Sequence, residues 1–128
     1  MAILGNFRPQ AFALLRIMTG LLFAVHGTQK LFSFPAGMPG GPPSLTSMGG
    51  ISAIIELVGG LMVALGIFAS CAAFVCSGEM AVAYFMAHAA KGGFWPILNK
   101  GELAVLYCFV FLYIAAEGPG IWSVTKKL

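Results

Sequence analysis

Four apolar stretches, each carrying a formal charge, constrain this chain more than any other feature. Arg16 lies within residues 11–32, Glu56 within 49–68, Glu79 within 70–90, and Glu102 opens residues 101–117. A charge at the bilayer centre costs roughly 2.5–3.5 kcal/mol, so such residues turn toward protein rather than lipid. A hydrocarbon core of ~30 Å takes about 20 helical residues, which the first three stretches supply and the fourth approaches. The fold class is therefore all-α: a four-helix transmembrane bundle in an antiparallel up-down arrangement, read as a single membrane domain over residues 1–128.

Composition agrees. Hydrophobic residues make up 59% of the chain and charged residues 9%, whereas a soluble domain carries about 25% charged residues. The net charge of +3 is dispersed, with no basic run to hold a nucleic acid. Cys71, Cys76 and Cys108 form no CxxC, and Cys71 and Cys76, five apart on one helix, are poorly placed for a disulfide. The N-terminal stretch does not read as a cleaved signal, because Arg16 interrupts it and no A-x-A site follows. Residues 33–48, SFPAGMPGGPPSLTSM, cannot continue a helix. Gly118-Pro119-Gly120 stops the fourth.

Four spans put both termini on one side. That side carries Arg8, Lys126 and Lys127, and the other carries Lys91 and Lys100. The positive-inside rule gives cytoplasmic termini, in a bacterial cytoplasmic (inner) membrane.

Helical residues fall about 100° apart, which fixes the faces. Arg16, Thr19, Gly20, Phe23, His26, Gly27 and Lys30 share one face of the first span. Ser52, Glu56, Gly59, Gly60 and Val63 share one on the second. Ala72, Cys76, Glu79 and Ala83 do so on the third, and Glu102, Leu106, Phe109 and Tyr113 on the fourth. Small residues let helices approach closely in a membrane, so these charges point into the bundle. In the third span Phe74, Val75, Val82 and Phe85 contribute roughly −1 to −2.5 kcal/mol of insertion energy, which one central acid cancels. Glu79 must then be paired or protonated.

Counting depth from the helix ends predicts two polar layers. His26, Lys30, Glu56 and Glu102 form a candidate pocket in the half away from the termini. Arg16 and Glu79 form a candidate buried pair further in. Either layer also reads as a structural lock on four helices. His88 falls out of phase and reads as interfacial. No HxxxH or ExxH pair is present, so no metal site is assigned.

Several of these residues recur in one family's pattern. The first span reads LLRIMTGLLFAVHGTQKLF, placing Arg16, Gly20, Phe23, His26, Gly27, Gln29 and Lys30 in register. Glu56, Gly59 and Gly60 give E-x-x-G-G; Asn99, Gly101 and Glu102 give N-x-G-E; and residues 118–123 give G-P-G-x-W-S. In these motifs the chain resembles the DoxX family of small four-helix membrane proteins over nearly its whole length. It departs at Thr125, where family members often carry Asp. The resemblance implies a link to thiosulfate:quinone oxidoreductase, whose smaller subunit gave the family its name, and to thiol and oxidative-stress functions.

Three readings follow. The first is a membrane redox component that holds a quinone, or works beside a partner enzyme that does, with His26, Lys30 and the glutamates handling protons and Phe23, Phe109 or Tyr113 stacking on the ring. The second is a non-catalytic anchor or assembly module. The third is a small transporter or lipid-binding protein, for which a homodimer would be needed. No Cys cluster, CxxCH or dinucleotide fingerprint is present, so electron transfer is not assigned to this chain alone.

Overall fold

The computed structural model describes residues 1–126, so Lys127 of the terminal basic group lies outside the described residues. Four principal helices cross in alternating directions: α1 (Arg8–Phe32), α2 (Met48–Leu65), α3 (Ala69–Gly92) and α4 (Glu102–Glu117). The first three are long and apolar enough to span a membrane. α4 has 16 residues, about 24 Å of helix at 1.5 Å per residue, and is the short member.

Local sequence sets the boundaries. Pro9 occupies the first turn of α1, where its missing N–H costs nothing. Ser47 caps α2 by accepting the Gly50 N–H at 3.1 Å. The turn between α2 and α3 is longer than the expected break at Ala69 alone: Gly66 and Phe68 both adopt positive φ, and α2 ends at Leu65.

α1 and α2 pack backbone to backbone. A Cβ on Gly20 would stand 2.5 Å from the Gly60 carbonyl oxygen, and one on Gly27 would stand 2.6 Å from the Leu57 nitrogen. No larger side chain fits at either position, which is how small residues hold membrane helices together. The core then fills with Phe23, Val63, Ala73, Cys76, Phe111 and Ile114. Large apolar side chains such as Leu14, Met18, Phe74, Val82 and Leu106 point outward, as a lipid-facing surface requires.

The inward face of α4 differs from the predicted one. Ala104, Tyr107, Phe111 and Ile114 are buried, whereas Leu106, Phe109 and Tyr113 are more than half exposed. α4 is apolar on all sides, so its sequence has no polar face to set its rotation.

Beyond α4 the chain turns back under the bundle. Val124 N–H donates to Leu65 O at 3.1 Å and Thr125 N–H to Gly66 O at 3.0 Å. The Thr125 hydroxyl accepts the Phe68 N–H at 2.8 Å. The departure from the family pattern at Thr125 thus coincides with a cap on the α2–α3 turn.

Candidate functional site

Lys30, Ser52, Glu56 and Glu79 form one cluster, and Arg16 forms a separate anchor. In the cluster, Lys30 Nζ meets Glu56 Oε2 at 2.8 Å. Ser52, one turn before Glu56, donates to the same oxygen at 2.7 Å and lies 3.4 Å from Lys30 Nζ. The Ser52 hydroxyl also bonds Glu79 Oε1. Glu56 is 2% exposed and the Lys30 side chain 28%, with Ser52 and Glu79 also half-buried, so Glu56 is the cluster's innermost member. Two buried oxygens, Glu56 Oε1 and Glu79 Oε2, have no hydrogen-bond partner among the described residues.

Hairpin geometry explains the meeting of Glu56 and Glu79. Glu56 precedes the Gly66–Phe68 turn by about as many residues as Glu79 follows it, so an antiparallel pair sets them at one height. α2 also widens into a π-helical turn over Ile55–Gly59, centred near Glu56. Such turns recur at functional sites, because the extra residue re-aims a side chain. Cys76 is fully buried beside this turn; a Cβ on Gly59 would meet its Sγ at 2.5 Å.

The predicted Arg16–Glu79 pair does not form. Arg16, fully buried, donates through Nε to Val63 O at 3.0 Å, through Nη1 to Ile121 O at 3.0 Å and to Pro119 O, and through Nη2 to Trp122 O at 2.7 Å. Its charge is met by carbonyl dipoles of α2 and the returning C-terminal segment. Glu79 faces the other way along the hairpin, toward Ser52.

The predicted pocket also comes apart. Lys30 and Glu56 meet, but Glu102 is exposed on the first turn of α4. His26 is half-buried and turns to α4, meeting Tyr107 edge-on with ring centroids 5.9 Å apart. It lines a groove of about 260 Å³ between α1 and α4, with Leu22, Val25, Gln29, Leu103 and Tyr107. Tyr107, Phe23 and Phe111 continue inward as an aromatic cluster, with Phe23 tilted against Tyr107 at 5.0 Å and edge-on to Phe111 at 4.7 Å. His88 sits at the α3–α4 loop, its Nδ1 3.2 Å from Asn99 O. Asn99 ties that loop by donating to Gly93 O at 2.7 Å and accepting the Gly101 N–H at 2.8 Å.

Sequence reasoning gave Ser52 and Tyr107 no role. Ser52 had a signal, since it sits four residues before Glu56 on the small-residue stripe. Tyr107 had none, because nothing fixes the rotation of α4.

A helical membrane bundle with a Lys–Ser–Glu–Glu cluster built around the buried Glu56 is the class that fold and site define. The chain belongs to the DoxX family, whose model matches residues 11–89. That segment holds Arg16, His26, Lys30, Ser52, Glu56 and Glu79, and it excludes α4. An uncharacterized protein of Haemophilus influenzae is 42% identical over 127 residues, covering 97% of this chain and 95% of the relative. An uncharacterized membrane protein of Mycobacterium tuberculosis is 25% identical over 135 residues, covering 94% and 82%. No solved structure matches this chain significantly.

Proposed function

We propose that this DoxX protein is a redox component of a bacterial cytoplasmic membrane, working with a partner enzyme and holding a quinone or a related isoprenoid ring. The observation that carries this reading is the adjacency of two features on α1. Lys30 leads into the cluster of Ser52, Glu56 and Glu79, and His26, one turn away, borders a lateral groove with an aromatic wall. The groove edge supplies a hydrogen-bonding ring in His26 and a phenol in Tyr107, the groups a quinone carbonyl and ring would use. A bound quinone would supply the electron chemistry, and the chain's own residues would bind it and hold protons nearby. In this reading both termini are cytoplasmic, and cluster and groove lie in the opposite half.

The test is mass spectrometry of lipids retained by the purified protein. An isoprenoid quinone retained by the native chain and lost from His26→Ala and Tyr107→Phe supports the reading. Absence of quinone, with a partner enzyme co-purifying, moves the assignment to an anchor or assembly module. That second reading is favoured by Arg16, whose hydrogen bonds fasten the fold and leave it no evident part in chemistry.

A further inference from the structure

We propose that the Lys30–Ser52–Glu56–Glu79 cluster binds one exchangeable proton, shared by the two glutamates through the Ser52 hydroxyl. This deepens the redox reading by naming what the cluster holds, although its support is the geometry of four side chains.

A serine hydroxyl carries one hydrogen and two acceptor positions. Ser52 Oγ has three polar neighbours: Lys30 Nζ at 3.4 Å, Glu56 Oε2 at 2.7 Å, and Glu79 Oε1. An ammonium can only donate. One glutamate accepts the single hydroxyl hydrogen. The other glutamate must bring a hydrogen of its own, because otherwise two acceptors would face each other at hydrogen-bonding distance. Charge leads to the same count. One ammonium against two carboxylates leaves a net negative charge in a water-poor interior, and one proton removes it. Glu56, nearly fully buried, still has Oε1 unpartnered, as Glu79 has Oε2. A neutral carboxyl tolerates an unpaired oxygen better than a carboxylate does, so one neutral group lowers the cost of the whole cluster.

The resting place of the proton follows from Lys30. Its ammonium touches Glu56 Oε2 and not Glu79, so the ion pair stands at Glu56 and the proton is placed on Glu79. Transfer needs no oxidant or reductant. Glu79 gives its proton to Ser52 Oγ while Ser52 gives its own to Glu56 Oε2. Two O–H bonds break, two form, and the total charge is unchanged. The groups facing the pair are Lys30 from α1, Cys76 from α3, and Tyr107 from α4, which lies within electrostatic reach of Glu56. As thiol and phenol, the last two add no charge.

Infrared spectroscopy of the full chain in lipid vesicles at neutral pH tests this. The expected result is a protonated-carboxyl carbonyl band that shifts in heavy water. It should be lost from both Glu79→Gln and Glu56→Gln, since either change leaves one carboxylate for one ammonium, and kept in the exposed control Glu102→Gln. Loss from only one of the pair would assign the proton to a lone carboxyl and overturn the sharing. Loss of the band on adding sodium would give the site to a metal cation and overturn the proton. If the variants fail to fold, the native protein decides: the band must disappear on raising pH with release of one proton per chain, and its absence at neutral pH overturns the proposal. Neither quinone nor partner enters the measurement, so quinone retention and the proton can fail separately.

Discussion

Arg16 Nη2 donates to the backbone carbonyl of Trp122 at 2.7 Å, joining residues 106 positions apart in the chain. With the bonds to Val63 and Ile121 it makes one guanidinium the meeting point of α1, α2 and the returning C-terminal segment. Arg16→Gln should strand the buried Val63 carbonyl and the part-buried carbonyls of Pro119, Ile121 and Trp122, and cost on the order of 3 kcal/mol. Thermal unfolding in detergent measures the loss, and limited proteolysis should then cut near Trp122. Native-like melting with a protected C-terminal segment would refute this role. Arg16→Lys should rescue little, because an ammonium lacks the planar fork that reaches separate carbonyls.

The two glutamates should respond differently to neutralisation. Glu56→Gln removes the carboxylate that touches Lys30 and leaves Glu79, across Ser52, as its counter-charge, which should cost about 1–3 kcal/mol. Glu79→Gln replaces a protonated carboxyl by a group of similar shape and should cost less than about 1 kcal/mol. The comparison is of melting temperatures under one detergent condition. Equal losses would contradict the asymmetry.

Close helix contact predicts a contrast among glycines. Gly20→Ala places a Cβ 2.5 Å from the Gly60 carbonyl oxygen and should cost about 1–3 kcal/mol through overpacking. Gly78→Ala meets nothing within 4 Å and should be neutral or stabilising by up to about 1 kcal/mol. Unfolding measurements on the two variants give the answer. A harmless Gly20→Ala would mean that α1 and α2 separate easily.

Thr125→Ala removes the cap on the α2–α3 turn and should cost about 1 kcal/mol. Thr125→Ser keeps the hydroxyl and should restore most of it. A serine variant no better than alanine would assign the effect to the lost methyl group.

Topology supplies one more check. Single cysteines placed at Ser44 and Ser123 in a cysteine-free background should label from opposite sides, with Ser123 on the cytoplasmic one. Labelling of both from one side would refute the proposed arrangement.

Much of the fold was legible because membrane helices announce themselves through apolar length. The packing face of α1 was legible residue by residue: Arg16, Thr19, Gly20, Phe23 and Gly27 are all buried. The Arg16–Glu79 pairing misled because depth was counted from helix ends, which vary by several residues. Counting from the shared α2–α3 turn sets Glu56 beside Glu79 and would have found the cluster. The partners of Arg16 were hidden for a different reason, since they are backbone carbonyls, which every residue carries. Phe109 and Tyr113 misled because a uniformly apolar helix can be rotated freely on paper, and neighbouring side chains alone decide that Tyr107 faces inward.

The attachment of Arg16 also orders the protein's birth. When α1 enters the bilayer, the carbonyls of Pro119, Ile121 and Trp122 have yet to be translated, a hundred residues behind. Until they arrive, the nascent chain carries an incompletely solvated cation in its first span, so α1 must dwell at the insertion machinery, snorkel, or be shielded by α2. A chain that stops before Pro119 therefore has its four principal helices but lacks three of the four carbonyls that hold the Arg16 guanidinium.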